Sequence, residues 1–218
     1  MATSALAAFL VYNTPELMHS MVDQLGYSCC IIDNGSKPPV PFRETMMRIT
    51  FGENEGFTAG WNKAMRLFQG LEYKYVWMLN SDVQGVSPDM MAKLVQIMEW
   101  SHDGLLAVSP AYNSPHQHMH AYGDTVKPVD WLDWAGPLVN VNLFLELGGF
   151  DEDFTGYGCD LDLCKRAQAR GLHLAVDQSL QFTHLGGLSE DTNGHRSVEK
   201  MNQLLAKKYG VKDWTEMF

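Results

Sequence analysis

Residues 75 to 80 read Tyr-Val-Trp-Met-Leu-Asn, and the run stops at Ser81-Asp82. A strand with one face in water alternates apolar and polar side chains. A strand apolar on both sides has to be covered on both sides, which is the signature of a parallel sheet packed between helices. The same unbroken character appears in "ALAAFLVY" (5–12), "SCCIID" (28–33), "MMRITF" (46–51) and "GLLAVSP" (104–110). Between these runs lie helical stretches. Thr14-Pro15-Glu16 opens one with proline at its first position, "TAGWNKAMRLFQG" spaces Ala59, Met65 and Phe68 toward a core, and a third runs from Ser87 to Trp100. The chain is therefore expected to be α/β, with a Rossmann-like, mostly parallel central sheet flanked by helices.

From residue 111 onward the candidate strands shorten and aromatics multiply. A helix is expected at 160–170, then strands "HLAV" and "LQFTHL", then a last helix near 195–209. No linker, repeat or low-complexity run divides the chain, so residues 1–218 are expected to form one domain: a nucleotide-type half (1–110) and a smaller mixed half (111–218).

The net charge of -10 excludes a nucleic-acid or anionic-membrane surface, because phosphate backbones need a basic face. It permits one bound diphosphate when a divalent cation screens the two anions. No stretch reaches the ~18 apolar residues of a membrane span, and the apolar N-terminus lacks a basic leader region, so no membrane anchor is expected. Cys29, Cys30, Cys159 and Cys164 show no metal-type spacing, which fits reduced thiols in a soluble, cytoplasmic protein.

Parallel sheets bind ligands at the carboxyl ends of their strands. Asn13, Asp33 and Asp82 all stand at such ends. Taken alone, Asp82 suits a turn as well as a metal ligand. Gly56 and Gly60 in "NEGFTAGWNKAM" suit ordinary loop chemistry as well as a phosphate cradle. Asp160 and Asp162 lie two apart at a helix start, so they do not share a face. One can point into a cleft while the other caps the helix or pairs with Lys165 or Arg166.

In order along the chain, "VYNTPEL", "IIDNGS", "NEGFTAGWNKAM", "WMLNSDV", "LGGFDEDFTGYGCDLDLCKRAQARG" and "FTHLGGLS" span residues 11 to 189. Together they resemble the family 2 glycosyltransferases of the GT-A fold, above all the rhamnosyltransferase-like branch, and are similar to glycosyltransferase domains of large-virus proteins. The resemblance implies a UDP-sugar donor and a Mn²⁺ or Mg²⁺ cofactor. It implies that Asp33 receives the uracil imide and that Asn13, Asn62 and Ser81 line the donor pocket. "NSD" stands where the family has DxD, so Asp82 is the first metal ligand, Asn80 a weak one, and His184 completes the site. Asp160 matches the family's catalytic base, while Cys159 replaces the glutamate that normally precedes it.

The implied reaction is a single inverting displacement in which Asp160 takes the proton of an acceptor hydroxyl. The acceptor is a glycan, glycoprotein or lipid-linked sugar, and the stretch 112–136 is its expected side. Trp131 and Trp134 there offer flat faces for sugar rings, and Asp133 offers an acceptor for hydroxyls. The histidine run 116–120 is expected to be a solvated loop. Two rival readings use the same chain: a non-catalytic nucleotide-sugar or carbohydrate-binding module, which would not need Asp160, and a nucleotidyltransferase. The second would want a glycine-rich loop after the first strand, where this chain has "VYNTPEL". Further domains in a longer protein are compatible with either.

Overall fold

The structure, a computed structural model, describes residues 5–14, 22–25, 29–41, 46–101, 104–186 and 197–218. Of the helix expected from Thr14-Pro15-Glu16, residues 15–21 lie outside the described residues and residues 22–25 are helical; 187–189 of "HLGGLS" and the first two positions of the expected last helix also lie outside them.

The expected strands form: β1 (Ala5–Val11), β2 (Cys29–Asp33), β3 (Met47–Thr50) and β4 (Tyr75–Asn80). Every residue of β2 is buried, and so is all of β4 up to Asn80. The helix between β3 and β4, α1 (Gly56–Gly70), buries Trp61, Ala64, Met65 and Phe68 on one stripe. After a two-residue β5 (Val83–Gln84) comes α2 (Pro88–Trp100). Ser87 caps it by accepting the Met90 N–H at 3.3 Å, Pro88 fills the first turn, and Met90, Leu94 and Met98 face inward.

The strand expected at 104–110 continues through Pro110 as β6 (Leu105–Tyr112), buried throughout. Proline lacks the N–H a central strand needs. It is accommodated because the neighbour on one side, β8 (Leu138–Asn140), pairs only with Ala107 and Val108. The remaining elements are β7 (Val126–Val129), α3 (Val141–Glu146), α4 (Cys159–Ala169), β9 (His173–His184) and α5 (Val198–Tyr209). The two strands expected at 173–176 and 180–185 are one. Between them the β6–β9 register jumps from Pro110↔Asp177 to Ala111↔Gln181, and the Asp177 carboxylate closes the bulge on the Ser179 N–H and hydroxyl.

Among the described residues the sheet runs β3-β2-β1-β4-β8-β6-β9-β5, with β7 also on β9. The pairs β2–β3, β1–β2, β1–β4 and β6–β9 are parallel. Because β8 is antiparallel to both β4 and β6, the strands β1, β2, β3, β4, β6 and β9 all point the same way. The result is the expected mostly parallel sheet with helices against it: α2 lies on β6 and β8, α4 on β9, and α1 on β1 and α3. Asp33, Asn80, Tyr112 and His184 end their strands on one edge. No helix among the described residues is long and apolar enough to cross a membrane.

Candidate active site

Two groups of residues stand at that edge, each building a wall. The first is built by β4, β5 and β9. Val83 pairs with His184, and the Leu185 N–H donates to the Asp82 carbonyl at 2.9 Å, which brings two side chains 102 residues apart together. His184 Nε2 lies 3.0 Å from Asp82 Oδ1, and Asn80 Nδ2 lies 3.5 Å from the same imidazole nitrogen. Asp82 is 7% exposed. The backbone of His184 is fixed by Asn113, whose amide accepts from its N–H at 2.8 Å and donates to its carbonyl at 3.1 Å.

The Asp82–His184 pair suits a divalent cation. Two ligands about 2.1 Å from a metal and at right angles lie about 3 Å apart, the separation these atoms already have. No group of three or more His, Cys, Asp or Glu side chains gathers as a metal site among the described residues. Two protein ligands leave the rest of a coordination shell to diphosphate oxygens and water.

The second wall is the start of α4 with the segment 131–137, which runs beside β4. The Asn80 N–H donates to the Ala135 carbonyl at 3.0 Å, and the Trp77 indole donates to Gly136 at 2.8 Å. Asp160 sits in the first turn of α4, where its Oδ1 accepts the Leu161 N–H at 2.9 Å. Burial, then the nearby Asp133 charge, pushes the Asp160 pKa up to about 6 against this donor. Asp162 points the other way. It is fully buried, takes Arg166 through both Nε (2.8 Å) and Nη2 (2.7 Å), and accepts the Tyr209 hydroxyl at 2.6 Å. Of the two aspartates, Asp162 is the one in the ion pair.

Tyr112 stands at the end of β6. Its ring stacks on Phe182 (centroids 4.9 Å apart) and meets His184 edge-on at 5.8 Å. Burial, reinforced by the Asp133 charge, pushes the phenol far above its usual range. Ser114 donates to Asp133. Sequence patterns did not flag Tyr112 or Ser114. The strand-end position of Tyr112 is the signal that could have found it, once β6 is extended past Pro110.

Other expected residues have different surroundings. The Asp33 carboxylate is 1% exposed and accepts from the Ser36 N–H (2.9 Å), the Val40 N–H (2.9 Å) and Arg48 (3.0 Å). Burial opposes its charge, but these donors outweigh burial and hold its pKa below the usual value. Asn13 is exposed at φ 55°, and its side chain accepts the Lys37 N–H at 2.8 Å. Ser81 lies beside Thr14, with hydroxyl oxygens 3.3 Å apart. Asn62 is buried, and both its N–H groups are used, on Phe150 O and Glu152 (2.9 Å each), while its carbonyl accepts the Phe150 N–H at 2.8 Å. It therefore anchors the turn ahead of α4 rather than facing open space. That turn needs Gly149 at φ 73°, since a Cβ there would sit 2.3 Å from Asn62 Oδ1.

Trp134 offers no face to a sugar. It is 5% exposed, its indole donates to Met78 Sδ at 3.3 Å, and Phe150 meets it edge-on. Trp131 is half-buried among His116, His118, Trp214 and Phe218. The histidine run is correspondingly not a solvated loop: His116 and His118 pack on Trp131, and Met119 is fully buried. The four cysteines are buried.

Residues 12–162 match glycosyl transferase family 2. The matched segment includes Asp33, Asp82 and Asp160 and stops short of His184. No curated protein matches the chain. Among solved structures it is similar to GalNAc-T7 crystallised with UDP, GalNAc and Mn²⁺, with a TM-score of 0.64 at 12% identity over 84% of this chain and 44% of that one. At that identity the likeness is one of fold, the GT-A architecture, and the chain spans less than half the length of that neighbour.

Proposed function

Because the chain belongs to glycosyl transferase family 2, we propose that this glycosyltransferase moves a hexose or rhamnose from a UDP-sugar to an acceptor hydroxyl with inversion, using Asp160 as general base. What supports this reading is the family match, whose segment includes Asp160, together with the Asp160 carboxyl whose pKa burial raises to about 6 and the Asp82–His184 pair, 3.0 Å apart at the strand ends. A raised pKa near the working pH is what a general base needs, because a carboxylate in the ordinary range takes a proton weakly.

Asp82 and His184, with Asn80 beside them, would hold Mn²⁺ or Mg²⁺. When bound, such an ion supplies charge neutralisation for a departing diphosphate. The protein's own groups do the rest. Asp33 and Asn13 shape the loop 33–40 on the donor side, and Ser81 lies beside it. Asn62 and Gly149 hold the turn that presents α4. Asp160 accepts the proton of the acceptor hydroxyl as that oxygen bonds to the anomeric carbon and the carbon–diphosphate bond breaks. One displacement gives inversion without a covalent sugar–enzyme species. The UDP and Mn²⁺ bound by the fold neighbour support this donor and cofactor class. The chain 1–218 acts in this reading as one unit, with residues 1–110 serving the donor and 111–218 the acceptor, which is a glycan, glycoprotein or lipid-linked sugar.

The test is a panel of nucleoside-diphosphate sugars with Mn²⁺, scored by free nucleotide and by mass of the product. Release from one UDP-sugar, abolished by EDTA, is expected. Tight donor binding with no release across the panel would instead identify a non-catalytic binding module of the same fold.

A further inference from the structure

Residues 213–218, beyond α5, pack against Trp131. Asp213 starts a 3-10 turn there by accepting the Thr215 N–H at 2.9 Å, and the Trp214 N–H donates to Asn202 of α5 at 3.1 Å. From α4, Lys165 donates to the Met217 carbonyl and sets its ammonium 5.2 Å from the centre of the Phe218 ring. Met217 itself is buried. The turn carrying Trp214 is thus tied to two helices before any ligand arrives, so binding to it costs little ordering entropy.

Trp214 meets two rings from other parts of the chain. Its centroid lies 6.2 Å from that of Trp131 and 5.6 Å from that of His116, and those two are 4.7 Å apart. The interplanar angles are 70°, 74° and 69°, so no two of the three rings stack face to face. His118 and Phe218 also touch Trp131 and leave it half-buried. Trp214 is half-buried as well, and His116 keeps 30% of its side chain exposed. A polar edge adjoins the rings. The Asp133 side chain, 18% exposed, lies 3.8 Å from His116 Nε2 and accepts from Ser114 through its other oxygen.

Partly open rings beside a carboxylate and an imidazole suit one ligand chemistry. A sugar carries C–H groups on its faces and hydroxyls round its rim. The electron-rich face of an aromatic ring attracts the first, and Asp133 and His116 can hydrogen-bond the second. An aliphatic chain would gain from the rings but would strip water from the carboxylate without replacing its hydrogen bonds. The cluster also stands beside the helix that carries Asp160. Leu132, next to Trp131, donates its N–H to Cys164 Sγ at 3.5 Å. Cys164 lies four residues after Asp160 on α4, so the two share a face.

We propose that Trp214, with Trp131 and His116, forms the subsite for the sugar ring of the acceptor, which makes the acceptor a carbohydrate. This rests on the reading of the chain as a glycosyltransferase, and it adds to Trp131 and Asp133 a residue that sequence patterns did not flag.

The experiment follows the tryptophan indole N–H resonances of the full chain by ¹H–¹⁵N NMR while methyl glycosides of hexoses, deoxyhexoses and pentoses are added, with no donor present. The Trp131 and Trp214 resonances shift saturably with at least one glycoside, while Trp100, 71% exposed at the end of α2, does not move. Trp214→Ala weakens binding of that glycoside by about tenfold, and Trp214→Phe, which keeps a ring, recovers most of the affinity. The proposal is overturned if no glycoside moves either resonance, if only an aliphatic alcohol such as octanol does, or if Trp214→Ala binds the glycoside as the wild type does. A glycoside bound at these rings in a chain that releases no nucleotide from any donor supports the sugar site and removes the transfer reading. Transfer to a sugar with an unchanged acceptor KM in Trp214→Ala keeps the transfer reading and overturns the subsite.

Discussion

Truncating Asp162 to alanine tests whether the ion cluster behind α4 supports the site through stability. The carboxylate is 0% exposed and accepts from Arg166 Nε and Nη2, from the Tyr209 hydroxyl and from Lys208 at 2.6 Å. Removing one partner of a buried ion pair costs about 3–5 kcal/mol, because the partner charge is left uncompensated. Here the cost falls at the low end, about 3 kcal/mol. Arg166 keeps the Leu147 and Gly149 carbonyls at 2.8 Å each, and Lys208 keeps Asp151 and is a third exposed. For a chain of this size each kcal/mol moves the melting temperature by about 2–4 °C, so a fall of about 6–12 °C is expected. The assay is calorimetric melting at pH 7 with urea unfolding alongside, which should show a lower midpoint at unchanged slope. Below the lowered melting point, turnover should be retained, since Asp162 faces away from the crevice. A change under about 2 °C would show that solvent screens the cluster and that the desolvation reasoning is wrong.

Three further outcomes follow from the site. Asp82→Ala and His184→Ala each weaken Mn²⁺-dependent UDP binding by at least about tenfold, measured by titration calorimetry, and equal affinity with and without EDTA would remove the metal assignment. Gly149→Ala costs more than about 1 kcal/mol, because alanine is strained at that φ and its Cβ collides with Asn62, whereas Gly52→Ala, with open space around it, should leave unfolding in urea nearly unchanged. The raised Asp160 pKa has two consequences of fixed sign. Activity rises with pH through about 6 as the base loses its proton, and the ionised carboxylate destabilises the fold above pH 6, a cost that fades as pH falls toward the unfolded value. Asp160→Asn should therefore raise the melting temperature at pH 8 but not at pH 4, and the opposite ordering would contradict the raised pKa.

What the sequence disclosed depended on whether a residue's role is set locally. Strands β1, β2 and β4 were legible because burial on both faces leaves no polar alternation to hide them. The position of Asp82 followed from the strand end alone. His184 was placed by resemblance only, since its meeting with Asp82 depends on β5 pairing with β9 a hundred residues away. The splitting of β9 had a physical cause: Asp177-Gln178-Ser179 carries turn chemistry, and the chain uses it for a bulge inside a strand. Trp134 misled because a tryptophan in a polar stretch looks exposed, yet its indole finds a partner in Met78 on β4.

The most direct test of the central claim compares kcat of the wild type and Asp160→Asn while donor affinity is followed by calorimetry. The account predicts a fall of roughly 10²–10⁴-fold in kcat, the usual contribution of a positioned general base, at unchanged UDP-sugar affinity. Equal kcat in the two proteins would contradict it, and so would a loss of turnover matched by an equal loss of donor binding.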